Sequence, residues 1–396
     1  MAKIFFITSR FPYPLEKGDK LRVFFQLKHL AIHNEIHLIT INNKPIDKEQ
    51  FAAINPFCKS IEVFVLPTYK RLIQLVLILF TGIPLQVAYF YNDKIRKQIE
   101  NKIAQIKPDA IHCHLIRTTE YIKNVTKIPK SLDFMDAFGI GMEKRQNTEK
   151  NFVKRLLFAY EKNKLYNYEK QVFSFVDRFC IISEQDRDSI KSARKGEIKI
   201  IPNGVDFEAF YPRNEKKKYD IVFMGNMGYP PNIAAVQFLA SEIMPLVIKA
   251  SPAIKLLVAG VGAPKSIKIL QSKNIDVIEN FEHISDSIAI SKIMLAPMQI
   301  SIGLQNKILQ AMAMKTPCIV SPASNNAIKA PNDFAIVEAS SPAEYAQVII
   351  DMLNNPMMAA RIGQNGYVFV KENFSWPAQN KLLEDLILTG FEQKTS

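Results

Sequence analysis

The sequence predicts an α/β protein of two facing, doubly wound Rossmann-like domains with a cleft between them. Three observations carry that expectation. Short apolar runs of strand length alternate with helical patterns in two successive blocks. Each block opens on a strand with glycine behind it: residues 4–8 precede Gly18, and residues 220–224 precede Gly225. At 396 residues the chain is also longer than one hydrophobic core usually organises. The expected division is residues 1–202 and residues 203–375.

In the first block, residues 4–8 read as a buried strand, followed by a loop with Pro12 and Pro14. Gly18 and Asp19 then lead into a helix over 20–31, periodic in Leu21, Phe24, Phe25 and Lys28. A glycine there lets backbone approach a ligand phosphate, or simply makes a turn. Further strands are expected at 35–41, 61–66, 109–113, 131–135, 179–183 and 198–201. His112-Cys113-His114 alternates on a strand without a third ligand nearby, so no metal is expected. After the 131–135 strand comes Asp136-Ala137-Phe138-Gly139. Asp133 alternates with Met135 and is assigned inward, whereas Asp136 starts the loop, where open α/β sheets bind ligands.

Two stretches of this block are less ordinary. Residues 69–91 start on Tyr69, Lys70 and Arg71, continue as an almost wholly apolar run, and end in Tyr89, Phe90 and Tyr91. Basic residues beside such a run suit an interfacial membrane contact, with a core helix as the other reading. Residues 142–175 read as one long helix, rich in Phe and Tyr, with Lys144, Arg145, Lys150, Lys154 and Arg155 at one end. No nucleic-acid motif accompanies them, so these charges are read as a solvated face and no nucleic-acid partner is expected.

The polar run 213–218 is expected to be the hinge. Second-block strands are expected at 220–224, 255–259, 276–278, 293–296, 318–320 and 335–337. Gly225-Asn226-Met227-Gly228 follows the first of them. The stretch 298–317, MQISIGLQNKILQAMAMKTP, combines a glycine turn with a helix. Leu304, Ile308, Ala311 and Met312 share one face, and Gly303, Asn306, Lys307 and Gln310 the other. A helix N-terminus with a lysine one turn in suits a phosphate; an ordinary crossover helix with a wet face has the same spacing.

Composition narrows the partners. Hydrophobic residues make up 48% and charged residues 22%, a globular balance. The 51 Lys and Arg against 38 Asp and Glu give +13, which favours an anionic partner. Cys58, Cys113, Cys180 and Cys318 show no paired spacing and read as reduced thiols of the cytosol. Arg10, Pro12, Pro14 and Glu16 directly after the first apolar run argue against a signal peptide. The longest apolar run, 72–80, falls short of the ~20 residues a spanning helix needs.

Five segments taken together resemble a known family. They are SRFPYPLEKGDKLRVFFQLKHLA, IIPNGVDFEAF, DIVFMGNMGYPPN, GLQNKILQAMAMKTPCIVSP and NGYVFVKENFSW, in order from Ser9 to Trp376. They look like the retaining, two-domain glycosyltransferases of family four, with the GT-B fold, in the branch that builds bacterial exopolysaccharides and lipid-linked glycans. The resemblance implies a nucleotide-diphosphate sugar donor and a glycan or lipid-linked acceptor; from the 69–91 stretch and the basic charge, peripheral attachment to an anionic membrane surface on the cytoplasmic side is expected as well. It implies no cofactor and no metal. The diphosphate would meet Gly303, Leu304, Asn306 and Lys307, with Gly18 opposite and the Gly225-Asn226 turn opening onto the same cleft. Phe281 and His283 would meet the base and Gln310 the ribose. Lys307 would stabilise the leaving group; Asp136 would orient the acceptor or a sugar hydroxyl, or else stand as a strand-end carboxylate satisfied by backbone N–H groups. A last helix near 378–390 would cross back onto the N-terminal domain. Departures from the family pattern are Ile302 and Gln310 where glutamates are usual, Lys315 in place of a glycine, and Asp136 in place of a histidine. Two other roles share this fold: a catalytically silent binding partner and a nucleotide-sugar epimerase.

Overall fold

The computed structural model describes residues 1–69, 71, 82–299 and 304–389. The chain forms two compact units, Met1–Pro202 with Trp376–Ser396, and Asn203–Ser375.

The first unit holds a parallel sheet of β1 (Lys3–Thr8), β2 (Glu35–Asn42), β3 (Ser60–Val65), β4 (Ala110–His114), β5 (Lys130–Asp133), β6 (Arg178–Ile181) and β7 (Ile198–Ile200). Their order is β3-β2-β1-β4-β5-β6-β7. β1 is apolar from Ile4 to Ile7, and beyond Lys3 both β1 and β4 are wholly buried, because helices cover both faces of such a sheet. Strand order reverses between β1 and β4, so their carboxyl ends form the ligand-facing edge. The second unit repeats the scheme with β8 (Tyr219–Met224), β9 (Leu256–Ala259), β10 (Ile275–Ile278), β11 (Ser291–Ala296), β12 (Cys318–Val320) and β13 (Val337–Glu338). Its order is β10-β9-β8-β11-β12-β13, reversing between β8 and β11.

The terminal Trp376–Leu388 helix belongs to the first unit. Leu383, Leu386 and Ile387 join Ile4, Phe6 and Val23 in one core, and Trp376 stacks on Phe25 at 4.8 Å. Pro230–Ala250 is the one helical run among the described residues with the length and composition of a membrane span. Val236, Leu239, Ile243 and Val247 on it lie in the core of the second unit.

Three expectations change, and a fourth falls largely outside the described residues. The 142–175 stretch is two helices, Phe138–Thr148 and Phe152–Gln171. The break falls where Asn151 caps the second helix, its Oδ1 accepting from the Lys154 N–H at 3.1 Å. β5 stops at Asp133, because Met135 turns to φ 59° and donates its N–H to Asp133 Oδ1 at 3.0 Å. The 213–218 run is not a free hinge: Arg213 binds Asp286 and Ser285, and Lys217 donates to the Ala289 carbonyl. In the 69–91 stretch, Lys70 and the apolar run 72–80 lie outside the described residues. Its described flanks divide: Arg71 is 2% and Phe90 5% exposed, with Arg71 donating to the Leu66 and Ile41 carbonyls, whereas Tyr69 is 61% exposed.

Beneath the reversal point lies a buried ion pair. Arg22, from the Gly18–Leu30 helix, donates through Nε to Asp133 Oδ2 at 2.6 Å and through a terminal nitrogen to the Ile201 carbonyl. Gln26 donates to the same carboxylate at 2.8 Å. Burial opposes the Asp133 charge, yet Arg22 and the adjacent His114 hold its acid well below the usual 3.8. Its contribution to stability is therefore present above about pH 3.8 and is lost only as pH falls further. Arg22→Leu should lower the unfolding free energy of the first unit by ~3–5 kcal/mol, because it strands a buried carboxylate. Denaturant titration followed by circular dichroism measures this. A loss near ~1 kcal/mol would mean that Gln26 and the backbone suffice.

Candidate functional site

The second unit gathers predicted residues around the carboxyl ends of β8 and β11. β8 ends in Met224, and the chain turns at Gly225 beside the Gly260 turn that follows β9. A Cβ on Gly260 would stand 1.8 Å from the Gly225 carbonyl oxygen, so only glycine lets these two turns touch. Asn226 then closes the loop, its side-chain oxygen accepting from the Gly228 N–H at 2.8 Å. Its carbonyl accepts from Asn232 Nδ2 at 2.8 Å. Asn232 sits in the first turn of the Pro230–Phe238 helix, where Pro230 and Pro231 start the helix without needing N–H bonds.

Lys307 arrives from the first turn of the Asn306–Ala313 helix. Its ammonium donates to Asn232 Oδ1 at 2.7 Å, lies 3.6 Å from Met298 Sδ, and sits 4.3 Å from the centre of the Phe223 ring. Among the described residues no carboxylate pairs with it. Burial without a counter-ion pushes its pKa down to about 7. Beside it, the side-chain oxygen of Asn306 is buried with no hydrogen-bond partner among the described residues. A helix N-terminus and an uncompensated lysine thus meet within one turn, and an anion would complete both, while the Asn306 oxygen, an acceptor, is suited to a donor such as a hydroxyl.

The other predicted residues divide. Leu304 is half-buried and packs on the second core, and Gln310 is half-buried on the same helix. Gly303 and Ile302 lie outside the described residues. Phe281 packs against the core, and His283 is exposed at the start of the Ile284–Ala289 helix; no hydrogen bond or ring contact among the described residues links either to Lys307. Sequence reasoning missed Asn232 as the acceptor that positions Lys307. The signal available was the GNMGYPPN run, in which a polar side chain directly follows two helix-starting prolines.

Gly18 and Asp136 belong to the first unit, at the carboxyl ends of β1 and β5. A Cβ on Gly18 would lie 3.3 Å from Met135 Cε, the residue just before Asp136. Solvent reaches the Asp136 carboxylate, but protein surrounds it closely. Desolvation, and then the Asp186 carboxylate, raise its pKa to about 7, against the pull of Arg22 and Arg117. Arg117, which the sequence reading did not single out, donates to Gln86 at 2.9 Å and lies 4.8 Å from the Phe138 ring centre. His112 and His114 are both buried; His112 pairs with Ser131 at 2.8 Å, and His114 faces Asp133 at 3.5 Å.

Comparison with known proteins bears on the second unit first. Residues 218–355 match the family model described as Glycosyl transferases group 1, a span that contains Gly225, Asn226, Asn232 and Lys307. Over 94% of its length the chain is 23% identical to an uncharacterized 44.6 kDa protein in the cps region of Klebsiella pneumoniae, covering 97% of that protein. Among solved structures it is similar to sucrose-phosphate synthase from Thermosynechococcus elongatus, at TM-score 0.70 and 15% identity, covering 100% of this chain and 99% of the other. It is also similar to HepE of Anabaena, solved with UDP and glucose, at TM-score 0.68 and 12% identity, covering 98% and 100%. The two parallel sheets, each reversing order beside its first strand, give this chain the GT-B architecture of two Rossmann-like domains.

Proposed function

We propose that this chain is a glycosyltransferase that moves a sugar, with retention, from a nucleotide-diphosphate sugar to a glycan or lipid-linked glycan acceptor in cell-surface polysaccharide synthesis. The observation that carries the reading is Lys307, half-buried at a helix N-terminus with no counter-ion among the described residues and held by Asn232 beside two glycine turns. That arrangement lies inside the span matching group 1 glycosyl transferases, and the solved HepE complex with UDP and glucose has the same fold. The cps-region relative supports a role in capsule-type polysaccharide.

In the reaction, the bond from the anomeric carbon to the diphosphate breaks as the acceptor oxygen bonds to that carbon on the same face. The departing diphosphate takes the acceptor proton. The protein therefore positions both reactants and stabilises leaving-group charge, through Lys307 and the N–H groups of the Asn306–Ala313 helix. These cationic and dipolar groups supply what a metal otherwise would. In this reading Leu304, Asn306 and the Gly225-Asn226 turn meet the donor diphosphate, Phe281 and His283 serve the base, and Asp136 orients the acceptor or a sugar hydroxyl. A lipid-linked acceptor places the enzyme on the anionic inner face of a membrane. One observation favours a second reading, a silent binding partner: Gln310 offers the ribose a neutral acceptor where the family has a carboxylate.

Lys307→Ala should weaken UDP binding by ~1.5–3 kcal/mol, the range of a lost charge-assisted hydrogen bond. Calorimetry with UDP, GDP and ADP measures this; equal affinity in the folded variant removes Lys307 from the site. The pH dependence follows from the depressed lysine. An anion raises its pKa from about 7, so UDP binding should take up a proton and weaken as pH rises above 7. Buffer-dependent binding enthalpies report that proton, and the Ala variant should lose it.

Gln310→Glu should strengthen UDP binding, because an ionised acceptor makes the stronger bond to a ribose hydroxyl. Repulsion from the diphosphate is offset by Lys307 and the helix end. Affinity and sugar turnover of both forms, with melting temperatures, test this. Absence of nucleotide binding in either form would sink the transferase reading.

A further inference from the structure

The Phe152–Gln171 helix is buried along its second half and bare along its first. Leu165 and Tyr168 are core residues, whereas Phe152, Val153, Leu156 and Leu157 are 71%, 73%, 55% and 46% exposed. Four large apolar side chains within two turns are far more than scattered surface hydrophobes. Phe152 with Leu156, and Val153 with Leu157, are i,i+4 pairs, so the four form one stripe along roughly 9 Å of helix. Lys154 and Arg155 fall on the opposite side. The helix packs antiparallel against Phe138–Thr148, so Arg145 and Lys150, both exposed, and Lys144 sit at the same tip. Against these five cations the tip carries Glu149, whose carboxylate accepts from the Asn151 N–H at 2.9 Å. The sequence-based expectation of a solvated basic face holds for the charges but leaves the exposed apolar stripe unexplained.

We infer that this hairpin tip, residues 144–157, is a docking element for an anionic lipid bilayer: the stripe enters the acyl boundary while the lysines and arginines meet headgroup phosphates. Charge complementarity selects this occupant. A second copy of the chain would bring an equally basic tip against this one, and like charges repel. A nucleic acid would satisfy the cations but leave Val153, Leu156 and Leu157 in water, since stacking needs aromatic rings. A membrane uses both halves at once. The inference deepens the membrane part of the proposed function and places it on a described surface, whereas the apolar body of residues 69–91 lies outside the described residues. It is independent of sugar transfer.

The test uses the full chain and vesicles of phosphatidylcholine, with or without phosphatidylglycerol. The chain should sediment with the anionic vesicles and be released by salt. Phe152→Ser with Leu156→Ser, and separately Lys154→Glu with Arg155→Glu, should each lower the partition roughly tenfold or more. Because these side chains are exposed, melting temperature and UDP affinity should stay unchanged, which separates this outcome from failure of the donor site. Phe152→Trp should shift its fluorescence to the blue on vesicles, against the buried Trp376 as the sole other tryptophan. No binding to anionic vesicles, or equal binding by the variants, overturns the assignment. So does self-association in analytical ultracentrifugation that Phe152→Ser abolishes while vesicles are ignored, which would assign the tip to a second copy.

Discussion

Parallel strands cannot be joined by tight turns, and nearly everything in this molecule follows from that constraint. Each strand must be followed by a crossover, usually helical, so both sheets are covered on two faces and central strands such as β1, β4 and β9 are buried almost end to end. All carboxyl ends then lie on one edge of each sheet. Where strand order reverses, neighbouring crossovers leave on opposite faces and the edge stays open. Gly18 and Asp136 follow strands of the first sheet, and Gly225 and Lys307 follow strands of the second. The chemistry collects at those edges because the topology leaves nowhere else for loops to meet.

The two units treat buried charge in opposite ways. Arg22 and Asp133 neutralise each other, with Gln26, a backbone N–H and the Ile201 carbonyl taking the remaining bonding capacity. Such a pair fixes the helix against the sheet edge and has little left to offer a ligand. Lys307 instead has a neutral amide, a thioether and an aromatic face around it. Its charge is only partly solvated by protein, so an incoming anion gains more from it than from a lysine already paired. The first arrangement serves stability, whereas the second leaves a charge that the surrounding protein satisfies only in part.

The helical hairpin shows how one element can serve two solvents. Its buried half is anchored by Leu165 and Tyr168, and the hydroxyl of Tyr168 donates to Glu120 at 2.8 Å. That anchoring lets the first two turns project with apolar side chains uncovered, a cost that an isolated soluble domain rarely carries.

Much of this was legible in the sequence, because local chemistry decides it. Strand-length apolar runs, the glycines behind the first strand of each sheet and the spacing of Ile308, Ala311 and Met312 each follow from backbone geometry and burial. The inward setting of Asp133 followed from strand alternation, and the structure has it fully buried. What the sequence left open depends on long-range partners. Nothing local to Lys307 shows that its acceptor is Asn232, 75 residues away, or that no carboxylate would join it. The break at Asn151 depended on a cap inside a continuously helical pattern, and the docked Arg213 depended on Asp286 in the Ile284–Ala289 helix. The exposure of Phe152 and Leu156 is likewise invisible in composition, since an apolar stripe at helical spacing looks the same whether or not anything covers it. Period and propensity are written along the chain; which charges are paired and which apolar faces stay bare are set only when distant segments pack.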